Sequence, residues 1–186
     1  MAEALLTNRL SALGLAAAVR SGGMLGDGAP ARPEAITVMA GYGLDIAAHR
    51  SRRVTAEDLE AADLTLAMAR ENLRHAVVTA PAVWPRAFTL KELVRRGEAV
   101  GPRAPGEDLA GWLARAHDGR ERTALLGDSA ADDVADPTGG PLGGYVETAA
   151  MLSGLLDKLA GLCWATRGGV PTQTSPSSGR PAGSTR

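Results

Sequence analysis

An alternation constrains the fold of this chain most. Short apolar runs, too short to bury as helices, recur between longer segments whose apolar residues fall at helical spacing. Leu64-Thr65-Leu66-Ala67-Met68 is the clearest run, and the stretch from Ala69 to Val78 behind it reads as a helix. Leu15 to Val19 is a second run and Trp84 to Phe88 a third. Runs that are apolar on both faces are the mark of buried parallel strands. Strands and helices in alternation predict an α/β layer fold around a small parallel sheet.

The helical segments carry their own start signals. Pro33-Glu34 opens one, Pro suiting the first turn because its missing N–H would be unpaired there anyway, with Ile36, Met39, Ala40 and Gly43 as its expected packing face. Thr55-Ala56-Glu57-Asp58 reads as a capping-box start for a short helix. Thr89-Leu90-Lys91-Glu92 caps another, and Glu107 to His117 places Leu109, Trp112, Leu113 and Ala116 on one face. Asp128 to Gly144 is a loop rich in Asp and Gly. The last helix carries Tyr145, Ala149, Leu152, Leu156 and Leu159 on a single stripe.

Composition removes several classes of function. A net charge of -1 gives no footprint for nucleic acid, and 3% aromatic residues offer no stacking platform for single strands. One cysteine excludes a disulfide framework or thiolate metal cluster, and three histidines form no H-E-x-x-H motif. No cofactor or metal is therefore expected. No apolar run reaches the ~18 residues of a membrane span, and no basic-then-apolar leader is evident, so a cytoplasmic protein with no membrane or nucleic-acid partner is expected. At 186 residues the chain suits one domain, expected over 1–163. Residues 164–186 are rich in Gly, Ser, Pro and Arg with almost no aliphatic side chain, and are expected to be a disordered tail.

The opening segment, Met1 to Leu13, is a helix without a beginning. Ala2, Leu6, Leu10 and Leu13 form one stripe, and Gly14 can take the left-handed conformation that ends a helix. No Ser, Thr, Asp or Asn caps it and no strand feeds it. Free N–H groups at a helix start commonly hold an anion or a phosphate. Met1-Ala2-Glu3-Ala4-Leu5-Leu6 resembles the helix after the phosphate loop in low-molecular-weight protein tyrosine phosphatases. Further passages carry the same resemblance in the same order. They are Gly41-Tyr42-Gly43-Leu44-Asp45-Ile46, His49-Arg50-Ser51-Arg52, Ala62-Asp63-Leu64-Thr65-Leu66-Ala67-Met68, Glu71-Asn72-Leu73-Arg74 and Asp136-Pro137. Together they span roughly residues 1–160.

The resemblance implies a three-layer fold with a small parallel sheet. It also implies that the central first strand, and the C-x5-R-S-P loop after it, would lie before Met1. That loop supplies the nucleophilic Cys and the phosphate-binding Arg. The expected activity is hydrolysis of phosphotyrosine in a protein, or of a small aryl phosphate, through a phosphocysteine. The chain as it stands is expected to be inactive. Asp136 would be the general acid and then the general base. Ser21 and His49 would brace the phosphate loop, and Met24 and Leu25 stand where a pocket aromatic is common.

Each residue also has a plainer reading. Asp-Pro-x-Gly-Gly is by itself a turn signal, and a lone His is most often a surface or helix-end residue. Thr138-Gly139-Gly140 follows Pro137 where the family often has an aromatic ring, which thins the wall for a phosphotyrosine ring. Cys163 has Gly169, not Arg, six positions on, so it reads as a packed thiol rather than a replacement nucleophile. Two alternatives stand beside the phosphatase: a non-catalytic interaction protein, and an arsenate reductase of the same fold, which would use further thiols.

Overall fold

A computed structural model describes residues 1–164; the expected tail lies, but for Trp164, outside the described residues. Seven α-helices, two strands and two 3-10 turns follow in order. They are α1 (Ala2–Ala12), α2 (Pro33–Gly41), α3 (Ala56–Ala61), β1 (Thr65–Ala67), α4 (Arg70–Thr79), a turn at Pro81–Arg86, β2 (Ala87–Thr89), α5 (Leu90–Val100), α6 (Leu109–His117), a turn at Arg122–Leu125, and α7 (Leu142–Cys163).

β1 and β2 pair in parallel, Thr65 opposite Ala87 and Ala67 opposite Thr89, with α4 as the crossover. The pleat sends alternate residues to opposite faces. Phe88 joins one core cluster, with Leu64, Leu66 and Met68 packed against it, while Ala67 and Ala87 belong to a second. The larger cluster is built on α7, whose Tyr145, Ala149, Leu152, Leu156 and Leu159 are all buried and which packs against α1, α2 and α5. The smaller one takes Leu59 of α3 and Leu73, Ala76 and Val77 of α4. Helices therefore cover both faces of the sheet, the three-layer arrangement expected.

The capping signals act as read. Thr55 accepts from the N–H of Asp58, and the Asp58 carboxylate accepts from the N–H of Thr55, a complete capping box. Thr89 Oγ1 accepts from the Glu92 N–H at 3.1 Å. Gly14 ends α1 with a φ of 68°.

Four expectations are corrected. Leu15 to Val19 forms no strand, and Ala16, Ala17 and Ala18 are exposed. A strand needs a neighbour's ladder for its backbone groups, and the sheet has two strands among the described residues. Trp84 to Phe88 divides between a 3-10 turn and β2, because Pro81 and Pro85 cannot donate to a ladder. In α1 the buried residues are Leu5 and Leu10, while Leu13, past the last helical turn, is 41% exposed. In α2 the inward face is Ala35, Val38 and Met39; Ala40 is exposed, and Gly43 lies beyond the helix with a φ of 71°.

Candidate functional site

The start of α1 has no side-chain cap. Its first turn instead presents an acid, Glu3, to two segments that arrive from elsewhere in the chain. The backbone N–H of Ser21 donates to Glu3 Oε2 at 3.0 Å, and the Ser21 hydroxyl donates to the same oxygen. His49 Nδ1 lies 3.9 Å from that oxygen. The loop carrying His49 is shaped locally: Asp45 Oδ1 accepts from the Ala47 N–H at 2.8 Å, and the His49 N–H donates to the Ile46 carbonyl at 3.0 Å. Ile46 is buried and anchors that loop to the core.

These groups border a cleft of about 480 Å³, whose lining includes Met1, Glu3, Asn8, Ser21, Asp45 and His49. The structure thus brings Ser21 and His49 together, and the residue that joins them is Glu3. No motif marks Glu3 in the sequence; an acid in the first turn of an uncapped helix is the available signal. Met24 and Leu25 lie outside this lining, and Leu25 is 83% exposed.

Asp136 is exposed on the loop before α7 and is not among the residues that line the cleft. Its Oδ1 accepts from the Thr138 N–H at 3.0 Å, and the Gly140 N–H donates to the Pro137 carbonyl at 2.9 Å. The turn that Asp-Pro-x-Gly-Gly encodes therefore forms, and it leaves the second carboxylate oxygen of Asp136 without a protein partner among the described residues. The loop reaches the sheet through the Val134 N–H, which donates to the Met68 carbonyl at 2.7 Å, directly past the end of β1.

Cys163, the last residue of α7, is fully buried in the core. Burial pushes its thiol up to about 12, against a smaller opposing effect of Arg103. A thiol in that state supplies no thiolate for attack or ligation. Among the described residues no group of three or more His, Cys, Asp or Glu side chains converges to hold a metal ion.

A second cavity, of about 230 Å³, is bordered by Arg70, Trp84, Glu92, Arg96, Arg120 and Asp132. Its charges are satisfied internally. Arg120, with its side chain 1% exposed, meets Glu92 through hydrogen bonds of 2.7 and 2.9 Å. The same guanidinium contacts His117 Nδ1 at 3.0 Å and lies 3.8 Å from the ring centre of Trp84 and 4.0 Å from that of Phe88. This cluster fixes the β2–α5–α6 junction and leaves no orphaned group to receive a ligand.

The family described as low molecular weight phosphotyrosine protein phosphatase matches residues 1–100. Solved structures with the same fold include the low molecular weight protein tyrosine phosphatase from T. tengcongensis, 35% identical, with 85% of this chain and 86% of that one covered at a TM-score of 0.62. A YwlE mutant from Bacillus subtilis is 28% identical over 86% of this chain and 85% of that one, TM-score 0.63. The YwlE arginine phosphatase from Geobacillus stearothermophilus is 27% identical over 86% and 80%, TM-score 0.60. No curated protein sequence matches.

Proposed function

The chain belongs to the low molecular weight phosphotyrosine protein phosphatase family, and we propose from this that it carries the acid–base half of a phosphotyrosine phosphatase whose nucleophile comes from outside these 186 residues. In the two-step reaction a thiolate attacks phosphorus and a carboxylic acid protonates the leaving phenolate. The resulting carboxylate then takes a proton from the water that hydrolyses the phosphocysteine. Asp136 is the acid and base. Glu3, Ser21 and His49 brace the loop that holds the phosphoryl group. The observation that carries the reading is the state of Asp136, an exposed carboxylate with one oxygen unpartnered among the described residues, on a loop tied to the end of a parallel strand. Ligands of open parallel sheets sit at that end of the strands.

The single thiol, Cys163, is buried and protonated, so the chain alone should not hydrolyse phosphate esters. The test compares para-nitrophenyl phosphate hydrolysis by three proteins. They are residues 1–186, the same chain with about fifteen residues added before Met1 (a strand of ~5–6 residues and a C-x5-R-S-P loop), and the extended form with Asp136→Ala. The expected order is no activity, high activity, and activity reduced about 10²–10⁴-fold. Hydrolysis by residues 1–186, or an unchanged rate after Asp136→Ala, overturns the assignment. An extended chain that folds but stays inert supports binding without catalysis.

Thr138-Gly139-Gly140 places no ring beside Asp136. That favours, as a second reading, a phosphoryl group on a non-aromatic side chain, such as the substrate that the name of the Geobacillus neighbour implies. The ratio of kcat/KM for phosphotyrosine and phosphoarginine peptides decides between them.

A further inference from the structure

Asp132 is the most deeply buried carboxylate among the described residues, at 5% exposure. It lies four residues before Asp136, and two guanidinium groups close on it. Arg70, the first residue of α4, reaches Asp132 Oδ2 from Nε at 2.8 Å and from Nη2 at 2.7 Å. Arg95 of α5 donates from Nη2 to Asp132 Oδ1 at 2.8 Å. Burial pushes the pKa of this carboxyl up, but the hydrogen bonds from Arg95 and Arg70 outweigh it and hold the group below its ordinary value. A buried carboxylate is stable only when paired in this way, and the pairing fixes its geometry tightly.

The residues between Asp132 and Asp136 are held one by one. Asp133 accepts from the Arg70 N–H at 2.7 Å and from the Ser129 N–H at 2.8 Å, and its carbonyl accepts from Lys91 Nζ at 2.6 Å. Val134 donates to Met68, and the Ala135 carbonyl accepts from Thr148 Oγ1 at 3.4 Å. Asp136 is the first residue along this path whose side chain bonds only within its own turn. The loop is thus a stem held by α4, α5, α7 and the residue that follows β1, with an exposed carboxylate at its tip.

We propose that Asp132 is a positioning residue: locked between Arg70 and Arg95, it sets where the Asp136 carboxyl is held. This rests on the reading of Asp136 as the general acid. A proton donor acts only within hydrogen-bond reach of its target, and a displacement of about 1 Å can cost on the order of 10²-fold in rate. Asp132 touches no substrate and acts through the stem alone.

Two measurements test this. The first uses residues 1–186 and follows amide hydrogen exchange in wild type, Asp132→Asn and Arg95→Gln. The Arg95 side chain is 55% exposed, so its variant removes half the clamp without opening the core. Exchange at Val134 and Thr138 should speed up by about tenfold or more in both variants, while Leu152 and Leu156 in α7 keep their protection. Unchanged exchange at the loop, or equal acceleration in α7, overturns the proposal.

The second uses the extended, nucleophile-bearing protein and compares kcat/KM for phenyl phosphate with that for para-nitrophenyl phosphate. Phenolate leaves poorly and needs its proton; nitrophenolate needs it far less. Asp132→Asn and Arg95→Gln should lower kcat/KM for phenyl phosphate by about 10–10²-fold and for the nitrophenyl ester much less. A loss of folded protein alone would lower both equally and overturn the proposal. If Asp136→Ala shows the leaving-group effect and Asp132→Asn does not, the positioning role falls. If Asp136→Ala shows none, the proposed function falls, and with it the catalytic meaning of the clamp, whatever the exchange data give.

Discussion

Removing Arg120 should destabilise this protein more than any exposed charge change, and the size of the loss can be worked out from its surroundings. Its side chain is 1% exposed and its partner Glu92 14%. Arg120→Ala deletes the two hydrogen bonds to Glu92, one to the Trp84 carbonyl at 3.1 Å, and the contacts with the faces of Trp84 and Phe88. Stripping one partner from a buried ion pair costs about 3–5 kcal/mol, because the other charge is left desolvated. Desolvated cation–π contacts can reach about 2 kcal/mol, but they belong to the same network and do not simply add. Arg96 Nε remains 3.4 Å from Glu92 Oε1 and softens the loss. The expected cost is about 3–4 kcal/mol, a large share of the ~5–15 kcal/mol of a normal domain. With m values of about 1–3 kcal/mol/M, the urea midpoint should fall by at least ~1 M. Trp84 lies in the cluster, so tryptophan fluorescence can follow the transition. Replacing both partners, as Arg120→Met with Glu92→Leu, should recover most of the loss, since matched apolar residues can replace a buried pair at little cost. A loss below about 1 kcal/mol for Arg120→Ala, the range of exposed ion pairs, would refute this account of the cluster.

Two further outcomes follow from neighbouring features. His117 has its pKa lowered from 6.5, first by burial and then by Arg120 and Arg96; the fold therefore favours neutral imidazole, and its contribution is complete above 6.5 and fades as pH falls below it. The urea midpoint should drop between pH 7.5 and 5, before the carboxylates titrate, and His117→Gln should flatten that drop. Gly97→Ala should destabilise the fold by about 1–3 kcal/mol, seen as a lower Tm in thermal unfolding, despite the better helix propensity of Ala, because the new Cβ would lie 2.8 Å from Trp112 Cζ2 and 3.0 Å from Leu162 Cδ1. Trp112 cannot yield easily, being fully buried with its Nε1–H donating to the Gly101 carbonyl at 2.9 Å.

Much of the fold was legible because its signals are local. The α7 stripe, the Thr55 box and the Thr89 cap each need only a few residues to act, and all three form as read. Leu15 to Val19 failed because a strand is a pairwise object: its apolar composition says nothing about whether a ladder is beside it. The face of α1 was misassigned because Ala2, Ala4, Leu5, Leu6 and Leu10 make it apolar on several sides, so packing rather than periodicity chose Leu5. At the candidate site, family order points to Ser21 and His49, which the structure brings together on Glu3, whereas no motif in the sequence marks Glu3 or Asp132. Their hydrogen-bond partners lie 18 or more residues away, Ser21 for Glu3 and Arg95 for Asp132, and no spacing rule reaches that far.

The central place of α7 has a bearing on how the chain matures during synthesis. Leu5, Met39, Phe88 and Trp112 all belong to the core cluster centred on a helix that begins at Leu142, and Arg9 of α1 pairs with Asp157 of α7. A ribosome adding about 5–20 residues per second needs on the order of ten seconds to pass from α1 to the middle of α7. For that interval the larger core lacks its central helix, while the smaller cluster between Leu59 and Leu125 already has all its members. A nascent chain stalled before Leu142 should therefore be a chaperone client, and one stalled beyond Cys163 should release it.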